Sequence, residues 1–270
     1  LFSIFCFCAL SSNYAQQIKV CGVVIEQSNS PVQFVNIIDS SSLHGTITNE
    51  NGEFEFTIPF SEKIKDMIEE HSTSVDWHDF PWPAMTFTGK TWRKADVDIL
   101  DMRETKKLWM MHVCVYPHFN DPSPIFGWDV ISGPKKITGA FHDFSPVYPN
   151  HFIINHFRQN VKDFIPSKRR ELPDWAKAIF SGSMVAAGNI KSDEELDKLL
   201  DVVLSNLTFF LENVGSYTHD RDYRDRHNFY CQMQKQNPHT PRVMESLGVS
   251  PDLVRRYIET CLFPEVGEDD

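Results

Sequence analysis

The chain has 270 residues, 41% hydrophobic and 23% charged, with 26 Lys and Arg against 37 Asp and Glu for a formal net charge of −11. That balance excludes a mainly disordered or fibrous chain, and the acidic surplus argues against whole-surface binding of nucleic acid or anionic membrane. The aromatic content of 13% supplies rigid, flat surface for a core or for a pocket that takes a large planar ligand.

The opening LFSIFCFCALSSNYAQQ has no initiator Met, and its apolar stretch before small and polar residues reads as the later part of a secretory signal peptide over residues 1–17. Residues 18–58 are rich in Val, Ile and Thr and broken by SNSP, DSSS and NENG. Asn51-Gly52 suits a tight turn between GTIT and EFEF, which reads as a hairpin. The pattern GTITNENGEFEF resembles part of a carboxypeptidase-regulatory-like β-sandwich; the alternative for this short segment is a disordered or partly ordered leader.

Composition changes near Pro59, and residues 59–270 read as one domain. Ser61 is placed to cap a helix carrying Ile64, Met67 and Ile68. After the irregular DWHDFPWPAM come five strand-like runs: AMTFTG, WRKADVDILDM, KLWMMHVCVYP, SPIFGWDVIS and KKITGAFHDF. Short polar or Gly/Pro turns join them into an antiparallel meander. The second half is helical. Residues 150–164 carry an apolar stripe, Ser192 and Glu195 form a capping box for a helix through Val214, and Ser250-Pro251 starts a last helix. Strands followed by helices predict an α+β domain, one antiparallel sheet with helices on its faces.

Two strands carry the informative geometry. If residues 117–124 form their loop, His112 stands directly across from Asp129, close enough for the side chains to touch. A turn at Gly133-Pro134 would then place Thr138 on the other side of Asp129. Met110, Cys114, Gly127 and Ile131 share that face, while Trp109, Val113, Val115, Phe126, Trp128 and Val130 form the opposite, core-forming one. An ionisable pair on a half-apolar face has two readings, a structural hydrogen bond beneath a helix or a proton-donating pair at a pocket. Elsewhere the signals are weak. The six Cys are irregularly spaced without a CxxC, His142, His151 and His156 lack metal-ligand spacing, and the sequon at Asn206 falls in a buried helix.

The runs MMHVCVYP, SPIFGWDVISGPKKITGAFHDFSPV and RELPDWAKAIFS, with the later NFYCQMQKQNPHTPRVMESLG, resemble the ferredoxin-dependent bilin reductases over about residues 60–264. The resemblance implies an α/β/α three-layer sandwich with biliverdin between the sheet and the C-terminal helices. It implies no intrinsic metal or flavin, and reduced ferredoxin as a transient one-electron donor, the bilin passing through radicals. By motif, Asp129 matches the central proton-donating aspartate and His112 the histidine paired with it in the phycocyanobilin-forming branch. Thr138 matches a hydroxyl near a propionate and Arg170 a propionate-binding arginine. Asn228 matches a second site position, with Asp220, Asp222 and Asp225 as nearby alternatives. The phycocyanobilin branch also has an acidic residue twelve before the histidine, where this chain has Leu100, with Asp98 and Asp101 out of register. That departure, and a wording similar to compact marine-phage members, favours phycoerythrobilin as the product over phycocyanobilin. Lys135, Lys136, Lys168, Arg169 and Arg170 offer positive charge for an acidic ferredoxin. The resemblance implies a cytoplasmic monomer, at odds with the signal-like leader. The rival reading is an exported protein that binds a hydrophobic ligand without turnover.

Overall fold

The computed structural model describes residues 3–9, 17–26, 28, 30–38, 45–133 and 135–267. It divides into two units, residues 1–70 with 192–197, and residues 71–191 with 198–270. The first unit holds strands β1 (Ser3–Ala9), β2 (Gln17–Ile25), β3 (Asn36–Ile38), β4 (Gly45–Ile47) and β5 (Glu53–Pro59), then helix α1 (Phe60–Glu70). β1, β2 and β5 form one antiparallel sheet, and β3 pairs with β4. Of the signal-like leader, residues 3–9 form β1, while residues 1–2 and 10–16 lie outside the described residues, as does the whole DSSS break.

The expected GTIT–EFEF hairpin is corrected. β4 pairs with β3 and β5 with β2, because Thr48 is drawn to the segment before β3. Its hydroxyl donates to the Val32 carbonyl at 2.8 Å and accepts from the Val35 amide at 2.9 Å. The turn itself forms, with Asn49 Oδ1 accepting from the amides of Asn51 and Glu53. Gly52 there has φ of +71°, and a Cβ would lie 2.6 Å from the Val24 carbonyl oxygen, so only glycine fits.

The second unit is built on β6 (Ser72–Trp77), β7 (Ala84–Gly89), β8 (Trp92–Met102), β9 (Leu108–Pro117), β10 (Ile125–Ser132), β11 (Ile137–Ser145) and β12 (Val185–Ala187). They make one seven-stranded antiparallel sheet in the order β12-β11-β10-β9-β8-β7-β6. The five expected strands are its centre. The two edges carry no comparable pattern: β6 is largely exposed, and β12 has three residues. A four-residue helix, α2 (Arg103–Lys106), joins β8 to β9, with Lys107 left-handed at φ 57°.

One face of the sheet is covered by α3 (Phe152–Val161) and α5 (Asp193–Asn213). Between them in sequence comes α4 (Asp174–Ile179), on the other face. Trp109, Val113, Val115, Phe126, Trp128 and Val130 are all buried, as the alternation predicts. Phe144 stacks on Phe157 of α3 at 4.7 Å, and Phe210 of α5 lies edge-on to Phe144 at 5.6 Å. His142 is fully buried in this layer. Its Nδ1–H donates to the Gly127 carbonyl at 2.8 Å, and Nε2 accepts from Asn206 at 3.0 Å. Burial pushes the imidazole down to about 4, so it packs as a neutral ring. The sequon asparagine is thus spent on His142 and on Asn160, from which it accepts at 2.8 Å.

The other face is covered by α4, α6 (Arg224–Gln234), α7 (His239–Ser246), α8 (Pro251–Arg256) and a π-helical turn at Tyr257–Leu262. Ser250 caps α8 by accepting from the Leu253 amide. The helix widens into the π form where two carbonyls are drawn to the sheet: Lys94 donates to Cys261 and Tyr116 to Leu262. Helices, sheet and helices give the three-layer α+β architecture expected. Among the described residues no helix is long and apolar enough to cross a membrane.

Candidate active site

A cavity of about 480 Å³ lies between the sheet and the α4/α6–α8 layer, within the range of small-molecule sites. Its floor is a patch of β8 to β11 whose side chains alternate toward it. Apolar walls from Met110, Ile131, Phe141, Trp175, Met244 and Phe263 enclose a few polar groups.

β9 and β10 pair in the register the loop length gives, with His112 opposite Asp129. Nδ1–H of His112 donates to Asp129 Oδ1 at 2.7 Å. The histidine side chain is 15% exposed and the aspartate 44%, so the carboxyl opens to the cavity and the imidazole sits behind it. Burial opposes charge on His112. The Asp129 carboxylate, through attraction and the hydrogen bond, and then Asp98 outweigh it, raising the imidazole to about 9. His112 therefore holds a positive charge at neutral pH.

Asp98 is a residue that the sequence reading passed over. It does not stand twelve residues before His112, but it pairs directly with His112 across β8 and β9, while Leu100 pairs with Met110. Only 3% of Asp98 is exposed, and neither carboxyl oxygen reaches a well-formed hydrogen-bond partner among the described residues. Its neighbour Asp96 is compensated by Lys94 at 2.9 Å and by the Thr86 hydroxyl at 2.7 Å. Burial raises Asp98 to about 7, against the attraction of His112 and the pull of the nearby Tyr257 hydroxyl. The signal was the hairpin itself, since the RETK turn sets the β8–β9 register as the longer loop sets that of β9–β10. Asp143 is a second unanticipated carboxyl in the lining. Burial raises it to about 6, but Ser181 and Ser145 donate to it and anchor the segment after α4.

Thr138 lines the cavity, but it is not opposite Asp129. β10 and β11 pair with a bulge near Ile131 and Ser132, so Asp129 pairs with Phe141 instead; Pro134 of the expected turn lies outside the described residues. The Thr138 hydroxyl donates to the Ile131 carbonyl at 3.0 Å. Arg170 stands exposed at the rim, donating to the Thr138 carbonyl with its guanidinium 5.7 Å from the Phe141 ring centre. Asn228 is corrected. It lies outside the lining and ties the C-terminal segment, donating to the Val266 carbonyl at 3.0 Å and accepting from its amide at 2.9 Å. Asp220, Asp222 and Asp225 do not line the cavity either; Tyr230 and Gln234 supply the polar side chains of α6.

The linked titrations give stability a pH signature. An unfolded imidazole titrates near 6.5 and the folded one near 9, so the stabilisation from charging His112 is full below 6.5 and lost as pH rises through 9. The raised Asp98 has the same sign in a lower window, lost between 3.8 and 7. Thermal melts of wild type fall from pH 6.5 to 9, and those of His112→Gln are flatter across that interval. Parallel curves would contradict the charged imidazole.

Known proteins bear on this arrangement. The family model described as ferredoxin-dependent bilin reductase matches residues 66–264. A phycocyanobilin:ferredoxin oxidoreductase of Prochlorococcus marinus is 34% identical over 58% of this chain and 65% of its own length. Its counterpart from Synechococcus sp. (strain CC9605) is 31% identical over 60% of this chain and 68% of its own. The chain thus spans about two thirds of these relatives. Among solved structures, one titled as that of PcyX has a TM-score of 0.55 at 25% identity, covering 77% of this chain and 98% of that one. The fold also matches tomato phytochromobilin synthase in complex with biliverdin, with a TM-score of 0.65 at 12% identity over 77% of this chain and 84% of that one. With most of its second unit matched by the family model, and with a large antiparallel sheet flanked by helices, this chain belongs to the ferredoxin-dependent bilin reductase family.

Proposed function

We propose that the protein reduces biliverdin to a phycobilin with electrons from ferredoxin, and that Asp129 and His112 deliver the protons. The observation that carries this reading is the His112–Asp129 hydrogen bond at 2.7 Å, with the carboxyl open to an aromatic-walled cavity. Each double bond reduced takes up two electrons and two protons. Ferredoxin supplies the electrons singly, and a bilin that has gained one is a stronger base. The proton passes from the charged pair through Asp129 to the bilin, leaving neutral imidazole beside carboxylate, and solvent restores it. His112 holds the carboxyl in place and shares its proton; Arg170 at the rim is the partner for a propionate, with Thr138 beside it.

Exposed Lys168, Arg169 and Arg170 run beside β12, where the Arg170 amide donates to the Ala186 carbonyl. Their charge supports ferredoxin docking at the rim of the cavity. The use of ferredoxin and biliverdin supports a cytoplasmic enzyme, acting as a monomer. Two products are in question. Phycoerythrobilin follows from the likeness to the phage-type wording. Phycocyanobilin is the second reading, favoured by Asp98, an acidic group standing across from His112 after all.

The test is an anaerobic incubation of the whole chain with biliverdin and reduced ferredoxin. Loss of biliverdin absorbance and growth of a shorter-wavelength bilin are expected, with chromatography against standards naming the product. Binding without change under reduction would replace catalysis with the carrier reading.

A further inference from the structure

We infer that Tyr230 is a substrate-binding residue whose phenol donates a hydrogen bond to a terminal lactam carbonyl of the bound bilin. This rests on the proposed substrate and adds a contact on the helical wall, facing the sheet. Tyr230 lies on α6, 4% exposed, and lines the cavity. Its oxygen accepts from Gln234 Nε2 at 2.8 Å, the two residues being one helical turn apart. A phenol has a single proton to give. With the oxygen already serving as acceptor for Gln234, that proton is directed elsewhere. The other polar neighbour within reach among the described residues is Cys114 Sγ at 3.7 Å, a weak acceptor.

The floor opposite the hydroxyl is Gly127, whose missing Cβ would stand 3.9 Å from the phenol oxygen. The nearest cavity-facing neighbour along that strand is Asp129, two residues on and therefore on the same face. The phenol oxygen therefore stands over the Gly127–Cys114 pair of the floor, beside Asp129 on the same face of the cavity. The acceptor is a neutral one by charge. Burial first, then Cys114 and in smaller part the Asp129 carboxylate, raise the Tyr230 hydroxyl well above its ordinary value, so it stays a neutral donor, and that carboxylate repels a second anion. Carboxylates of the substrate have the Arg170 guanidinium at the rim. A lactam carbonyl is the neutral acceptor a linear tetrapyrrole brings to the interior.

Tyr230→Phe keeps the ring that packs edge-on against Tyr116 and Phe263 and removes only the hydroxyl. Absorbance titration of the whole chain with biliverdin is expected to give a Kd raised about three- to tenfold, as for loss of one buried neutral hydrogen bond. The long-wavelength band of the bound pigment shifts at the same time. Resonance Raman of the wild-type complex supplies a readout that needs no variant: a lactam C=O stretch below that of free biliverdin, returning toward it in Tyr230→Phe. Wild type that binds biliverdin with an unshifted carbonyl stretch, or a variant with unchanged Kd and spectrum, overturns the inference and leaves the proposed function standing. Wild type that binds no biliverdin overturns both.

Discussion

Asp129→Asn binds biliverdin within about threefold of wild type and forms product at least ~100-fold more slowly. The geometry separates the two effects. Asparagine has the volume of aspartate and still accepts from His112 Nδ1–H through its amide oxygen, so the floor of the cavity keeps its shape. It removes the one group in the His112–Asp129 pair that is both open to the cavity and able to hand over a proton. Loss of a positioned general acid costs about 10²–10⁴ in rate. The bilin gains an electron and waits, so a one-electron-reduced species accumulates, visible in absorbance and by electron paramagnetic resonance. Steady-state product formation with a Kd from titration checks the prediction. Turnover near the wild-type rate would remove Asp129 from the chemistry and leave its bond to His112 as a structural one.

Asp98→Asn is the second large effect, and it acts on a later step. The carboxyl is buried, without a well-formed hydrogen bond among the described residues, and raised to about 7 by burial, so at neutral pH it gains and loses a proton readily. It faces the same imidazole from the strand opposite Asp129. Under the proposed four-electron reduction the bilin takes up protons at more than one place, and Asp98, buried across from His112, is the acid proposed for the second. In Asp98→Asn biliverdin is still consumed, a two-electron-reduced bilin builds up, and the fully reduced product falls about tenfold. Chromatography of quenched time points reads this directly. A wild-type product profile would confine Asp98 to tuning the charge of His112.

The sheet and its helices were readable in the sequence wherever burial is one-sided. From β7 to β11 strand-like runs lie between short turns, with Trp109, Val113, Val115, Phe126, Trp128 and Val130 on one buried face of β9 and β10, and α5 carries Leu199, Val203, Leu207 and Phe210 on one fully buried face. The His112–Asp129 contact was readable for the same reason, because strand pattern and loop length together fix a register. Three positions were not. Thr138 moved because a bulge near Ile131 and Ser132 shifts the β10–β11 register, and it leaves no mark in the hydrophobic pattern. Asp98 was lost by counting a fixed interval back from His112 instead of folding the chain at α2. Asn228 depended on the rotation of α6, which is set by what Tyr230 and Cys231 bury and by the strap at Val266. Edge strands and helix phase are tertiary outcomes, and one-dimensional spacing does not contain them.

Proton delivery by the histidine–aspartate pair requires that it touch the bilin. A crystal structure of the protein loaded with biliverdin decides this. The tetrapyrrole is expected between the sheet and α6–α8, with a pyrrole nitrogen or lactam oxygen within hydrogen-bond reach of Asp129 and a propionate at Arg170. A bilin bound elsewhere, or lying in the cavity with Asp129 turned from it, would remove the pair from the reaction.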